Sequence, residues 1–343
     1  MKLSRFQRIA LIAFVAIEIL IFVGAIVRTT GSGLGCPDWP FCYGCWVPPT
    51  TAEEIDFTKL DLEKFRRKAA AMGRDPATIT PEKLRAEFNP VATWIEYLNR
   101  LTSIPVGLSV MVMWFASFFE WRKGRPVIFL TSTFAVILVG VNAWLGARVV
   151  LSGLKPGIIT LHMALAILLL CVLVYTGWRG TQRPWSLAWK SEPDSKLRLL
   201  AWALFALIVA EGVLGSQVRE LTDELARSHA GHTRAEWVHE LEASWVYLIH
   251  RSFSWLILFA GIAFFRRCRA LSHRGWLEIT ITAIIVAQML LGVVLANVGI
   301  LAIAQILHIG LSSILVSALC LWLLGSGRPS QHLQAAAAEV RRH

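Results

Sequence analysis

The sequence predicts an all-α membrane protein: eight transmembrane helices arranged as two pseudo-symmetric four-helix bundles. Two compositional facts and one pattern carry that reading. Of 343 residues, 55% are hydrophobic and 15 are Trp, with a mean hydropathy of +0.56. Eight apolar runs reach about 20 residues each, the length a helix needs to cross the hydrocarbon core. The chain also repeats itself. Leu145-Gly146 precedes His162 by the same spacing as Leu291-Gly292 precedes His308, and Asn142 and Gln288 stand equally far before the two glycines. Tyr97-Leu98-Asn99-Arg100 pairs with Leu248-Ile249-His250-Arg251, and Gly24-x-x-Val27-Arg28 with Gly215-x-x-Val218-Arg219.

Taken in order, the first span covers about 8–28. It lacks a small-residue cleavage site and runs into Arg28, so it reads as a retained span and not a signal peptide. The segment 29–95 follows, with Cys36, Cys42 and Cys45 close together, an amphipathic stretch over 58–72, and Thr80-Pro81-Glu82 as a helix start with Thr as cap. Spans two to four occupy about 96–119, 126–147 and 158–178, completing an N-terminal half over 1–178. A polar linker, 179–196, leads to spans five to eight at about 197–217, 244–265, 275–296 and 301–325, with a short helix expected within 218–243 and a tail over 326–343. Four spans per half make both halves enter the membrane the same way, related by an axis along its normal.

Charge sets the orientation. Lys2, Arg5 and Arg8; Arg122, Lys123 and Arg125; Arg179, Arg183, Lys190, Lys196 and Arg198; Arg266, Arg267, Arg269 and Arg274; and Arg341-Arg342 all fall on one side if the spans alternate. That side is cytoplasmic by the positive-inside rule, which places both termini and the linker in the cytoplasm and the protein in the inner (plasma) membrane. The net charge of +11 is then this bias, helped by anionic lipid headgroups. It does not point to nucleic acid.

The ionisable residues inside the spans carry the chemistry, because a charge at such depth is costly unless paired or ligated. His250 and His308 lie near the outer ends of spans six and eight, each among apolar neighbours. Two histidines on facing helices suit the axial ligands of a haem iron held in a bundle core, with two hydrogen-bonding histidines as the plainer alternative. Arg28, Arg100, Arg219 and Arg251 stand at outer span ends, where Arg makes bidentate pairs with carboxylates such as haem propionates or snorkels to the interface. Glu96 lies three residues before Asn99 on the same helix face, and its counterpart in the second half is Tyr247. A carboxylate beside one site only is a candidate for proton handling. Glu18 and Glu211 have no acidic counterparts across the repeat and read as proton-path or structural groups. On an oxidising face, two of the three outer cysteines are expected to form a disulfide, with a redox-active Cys42-x-x-Cys45 pair as the other reading. Cys171, Cys268 and Cys320 read as inert.

These residues resemble the haem A synthases, enzymes of cytochrome oxidase assembly. The resemblance rests on Thr30-Gly-Ser-Gly-Leu-Gly-Cys36-Pro-Asp-Trp-Pro-Phe-Cys42, on Glu96-Tyr-Leu-Asn99-Arg100, and on His162, His250-Arg251 and His308. It covers nearly the whole chain, least in 50–90 and after 326. It implies oxidation of a ring methyl of haem O to the formyl of haem A, with oxygen and reducing equivalents. It implies a b-type haem cofactor between His250 and His308, and the substrate haem near His162 and Glu96, with Glu96 important for the chemistry. It also implies an outer-loop disulfide, here Cys36 with Cys42 and Cys45 as the alternative partner. Asn99 departs from the commoner His of the family. An amide oxygen is a weak axial ligand, so a haem here would have His162 alone or a labile second ligand.

Two other classes use the same histidines: a b-type membrane electron carrier, which has no need of Glu96, and a haem carrier that does no chemistry. Prenyl transfer making haem O is disfavoured, since no paired Asp-rich magnesium motif occurs in the spans. Haem O synthase and cytochrome oxidase assembly factors are the expected protein partners; the electron donor and a homo-oligomeric state are left open.

Overall fold

The computed structural model describes residues 3–71, 75–182, 184–187, 195–229, 231–271, 275–299 and 301–327. Lys2, Arg183, Lys190, Arg274, Arg341 and Arg342, which entered the charge reading, lie outside these residues, as does most of the tail. The described residues form helices and short turns. Eight helices are long and apolar enough to cross a membrane: α1 (Arg5–Thr29), α4 (Pro90–Arg122), α5 (Pro126–Leu151), α6 (Pro156–Arg179), α7 (Ser195–Ser228), α9 (Trp245–Leu271), α10 (Trp276–Asn297) and α11 (Ala302–Gly325). Three shorter helices, α2 (Leu62–Ala71), α3 (Pro81–Ala86) and α8 (Arg234–Ala243), belong to the two outer segments.

The starts of these helices follow local chemistry. Ser4 and Gln7 form a reciprocal capping box at α1. Asn89 caps α4 through the Ala92 amide at 3.0 Å, with Pro90 at the first position. Thr80 caps α3 as expected, accepting from Lys83 N at 3.3 Å. One boundary differs from the sequence reading. Helix α7 runs on to Ser228 instead of stopping near 217. Past Arg219 the chain is polar but has no breaker before Gly231, and Arg219 pairs with Asp223 one turn on at 2.8 Å.

Packing closes two rings. Helices α1, α4, α5 and α6 contact one another in sequence, and α6 returns to α1; α7, α9, α10 and α11 repeat the same circuit. This is consistent with the expected pair of four-helix bundles. In each ring the second and fourth helices stand on the diagonal: α4 opposite α6, and α9 opposite α11. Exposed apolar side chains such as Ile12, Phe119, Leu130, Phe259, Leu290 and Ile303 turn outward, where lipid replaces water as solvent.

Both apolar cores sit at one end of the molecule. The first gathers Phe6, Ala13, Val110, Met113, Ala135, Leu170 and Leu173; the second gathers Leu197, Leu204, Phe264, Leu277, Ile281, Leu319 and Trp322. In every helix these positions fall in the half nearer the N-terminus of the chain's α1. The opposite halves, on the side of the outer segments, carry the polar residues singled out above. At the cored end, the described part of the linker docks through Leu187 N to Gly325 O at 2.9 Å and Trp178 Nε1 to Trp185 O at 2.7 Å.

The two rings meet chiefly along α1, α6 and α11. Phe22 packs so closely on Gly310 that a Cβ there would stand 2.2 Å from the ring. Glu18, buried in the same seam, accepts from Ser313 Oγ at 2.6 Å and from Ser317 Oγ at 3.4 Å. Ser313→Ala strips a buried carboxyl of its shortest hydrogen bond and is expected to cost about 1–3 kcal/mol. A lowered thermal midpoint in detergent, restored by Ser313→Thr, is the measurement that checks this.

Candidate functional site

The outer end of the second ring is built around His250 on α9 and His308 on α11, placed on diagonal helices and near enough to interact through space. Gly215 of α7 makes room for His250: a Cβ at that position would lie 3.2 Å from the ring Cε1. One turn further into the membrane on α7, Glu211 Oε1 lies 3.1 Å from His250 Nδ1. Ser254 Oγ donates to that same oxygen at 2.5 Å and to the His250 carbonyl at 2.9 Å. On the far side, Gln288 Nε2 donates to the His308 carbonyl at 2.8 Å and to Ser312 Oγ at 2.9 Å.

The first ring repeats the frame with different chemistry. His162 on α6 packs over Gly146, whose notional Cβ would lie 3.5 Å from the ring. The Asn142 main chain borders His162 as the Gln288 main chain borders His308, so the repeated spacing seen in the sequence becomes a repeated contact. On α4, Glu96 is buried at 4% exposure. Its carboxylate meets Arg100 Nε at 3.1 Å, and the Asn99 side chain stands beside it, one turn on along the same helix face.

Of the four arginines, the structure brings two together. Arg28 and Arg219, equivalent across the repeat, converge between the halves: Arg219 Nη2 reaches the Arg28 carbonyl at 3.5 Å. Met163 Sδ lies 3.6 Å from both Arg28 Nη1 and Ser216 Oγ. Arg28 Nη2 and Arg219 Nε are buried with no hydrogen-bond partner. Arg251 is exposed on α9. Arg100 is occupied: besides Glu96 it donates to the carbonyls of Cys36 (2.7 Å), Asp38 (2.8 Å) and Phe41 (2.9 Å). Its guanidinium clamps the outer loop onto α4, a role the sequence did not reveal.

That loop covers the first ring. Cys36 and Cys42 are joined in a disulfide, and Cys45, the alternative partner, is a free thiol. Both bonded cysteines sit with Tyr43, Ile55 and Leu60 in a small separate core reached by Phe65 and Tyr97, which is what the amphipathic stretch buries. Gly35 lies so close to α4 that a Cβ would meet the Ala92 carbonyl at 2.2 Å. Asp38 holds the turn, accepting from the amides of Tyr43 and Gly44, each at 2.8 Å. Burial, with the Asp38 carboxylate beside it, pushes the Tyr43 hydroxyl up to about 12, so it stays neutral. Asp38→Ala leaves two turn amides without acceptors and is expected to cost about 1–3 kcal/mol locally. Faster proteolysis within 36–60, with the membrane helices intact, is the expected result.

These residues fit a haem. His162, His250 and His308 offer imidazole nitrogens to a metal, and Arg28 Nη2 and Arg219 Nε are buried with no hydrogen-bond partner, as are the side-chain oxygens of Asn142 and Gln288. Buried polar atoms in folded proteins are almost always satisfied, so such a set marks a place for a group that brings metal and carboxylates. Sequence reasoning missed the Glu211–His250 contact and the meeting of Arg28 with Arg219. Each joins residues on different helices, and only the shared motif Gly-x-x-Val-Arg hinted at the second.

A family model described as "Cytochrome oxidase assembly protein" matches residues 7–320. Similar curated proteins bear the name "Heme A synthase". The one from Sphingopyxis alaskensis is 27% identical over 340 residues, covering 91% of this chain and 89% of that protein. The one from Methylorubrum extorquens is 32% identical over 216 residues, covering 60% and 51%. The one from Shewanella oneidensis is 26% identical over 179 residues, covering 51% and 45%. The matches thus span about half the length of the last two relatives and most of the first.

Proposed function

We propose, from the premise that this chain belongs to the family of cytochrome oxidase assembly proteins, that it oxidises a methyl group of haem O to the formyl group of haem A. Three relatives bearing the haem A synthase name support the reading. The observation that carries it is the inequality of two sites on one repeated frame. Where the second ring pairs His250 with Glu211, the first has Asn99 beside a buried Glu96. A pure electron carrier would have no use for the difference.

In this reading residues 197–325 hold a b-type haem cofactor through His250 and His308, and residues 1–178 hold the substrate. The chemistry the cofactor supplies when bound is one-electron transfer. His162 would bind the substrate haem from α6, and Asn99, standing where the second half has His250, would offer only a weak amide ligand. Turning a methyl into a formyl is a four-electron oxidation that inserts one oxygen atom. With dioxygen as the oxidant and reducing equivalents from a donor, R–CH3 + 2 O2 + 4 e⁻ + 4 H⁺ gives R–CHO + 3 H2O, and Glu96 is the buried carboxyl placed to take up and pass on protons. Arg28 and Arg219 hold propionates, the anionic ends of a haem, by charge-assisted hydrogen bonds. The outer loop, clamped by Arg100, covers the substrate half and keeps water from it. We place the protein in the plasma membrane with both termini cytoplasmic, an orientation the charge bias supports; the disulfide then faces the oxidising side.

The test is expression of the chain in a host that makes haem O, with mass analysis of extracted haems. Haem A is the expected product. Haems B and O alone, from folded and haem-loaded protein, would overturn the reading in favour of an electron carrier.

A further inference from the structure

We propose that Glu211 is a positioning residue for His250: its carboxylate orients the imidazole and lowers the reduction potential of the iron that the ring binds. The inference rests on the haem site proposed above and concerns a residue that the sequence read as a proton-path or structural group. Three observations carry it.

The first is contact. Glu211 Oε1 lies 3.1 Å from His250 Nδ1, although the ring N–H is not yet aimed squarely at it. With Nδ1 turned to α7, Nε2 is the nitrogen left for iron. Histidines that bind metal commonly give their other N–H to a carboxylate, which fixes the ring and makes it a more basic ligand. A carboxylate there also favours the more positive oxidation state of the iron.

The second is that the carboxylate is itself held. Ser254 Oγ donates to the same Oε1 at 2.5 Å, whereas Oε2 is buried with no partner. Gly215, one turn along α7, opens the space into which the ring fits. The histidine is thus seated between a glycine and a glutamate of one helix.

The third is the repeat. The offset that pairs Gly24 with Gly215 and Arg28 with Arg219 pairs Leu20 with Glu211, and the offset that pairs Arg100 with Arg251 pairs Asn99 with His250. The first ring lacks both members of the dyad. Leucine stands where no histidine needs a partner, as expected if Glu211 is present to serve His250; a carboxylate kept for packing or proton passage would have no reason to go with the histidine.

The experiment is potentiometry and electron paramagnetic resonance on the full-length protein purified with its haem. His250→Ala first tests the premise: a retained low-spin signal at the second site would sink the haem assignment itself. With that assignment standing, Glu211→Gln keeps the shape and an acceptor but removes the charge. The expected result is a reduction equilibrium shifted at least tenfold toward the ferrous state, 59 mV for a one-electron couple, with altered ferric g-values. An unchanged potential and spectrum overturn the proposal. Ser254→Ala should act with the opposite sign, because the freed oxygen gives more of its charge to the His250 N–H. If Glu211→Gln fails to hold haem, this second variant decides: a lowered potential supports the proposal and an unchanged one overturns it.

Discussion

Glu96→Gln is expected to cut haem A formation by about 10²- to 10⁴-fold, the usual contribution of a positioned acid or base, while leaving fold and haem content in place. The choice of Gln matters. Glu96 also accepts from Arg100 Nε at 3.1 Å, and Arg100 ties the outer loop to α4 through three carbonyls. A Gln oxygen keeps an acceptor for that nitrogen, so the loop stays clamped and only the capacity to take a proton is lost. Glu96→Ala would mix the two effects, because it strands a buried guanidinium nitrogen as well. The measurement is the ratio of haem A to haem O in extracts at matched protein levels, alongside thermal midpoints. Near-normal haem A from Glu96→Gln would reduce Glu96 to an anchor for Arg100.

His308→Ala is expected to remove the haem of the second half, seen as loss of the low-spin optical spectrum of a histidine pair. The fall in affinity should exceed the roughly 10- to 100-fold that removal of a ligand's supporting partner costs, since here a ligand itself goes. His162→Ala should leave that spectrum unchanged. The apolar cores of both rings lie at the other end of the bundles, so neither change opens a cavity in the packing and the helices should fold. Equal spectra from His308→Ala and the unaltered protein would show that the second ring does not bind haem through this residue.

Much of the architecture was legible because hydropathy in a membrane protein reports directly on span length, and a tandem repeat reports on topology without knowledge of any contact. The eight spans came out at the right places, short at their ends where polar turns continue a helix; α7, carried past Arg219 by Asp223, is the extreme case. The caps at Thr80 and Pro81 were local and therefore readable. The roles of the arginines were not. All four share a helix-end setting, yet Arg100 turns to the loop, Arg28 turns to Met163, Arg219 turns to Asp223 and the Arg28 carbonyl, and Arg251 is exposed. Direction around a helix axis depends on which neighbour lies there, and neighbours from distant sequence are set only by packing.

The sequence by itself determined the membrane class, the doubling of the frame, and the residue types at its four equivalent polar positions, since these follow from local composition and spacing. Tertiary structure alone decided the partnerships: Glu211 with His250, Arg100 with the loop carbonyls, and Glu18 with Ser313 across the seam. The physical reason is that a buried charge takes its meaning from the group that satisfies it. In each case that group comes from another helix or from the covering loop.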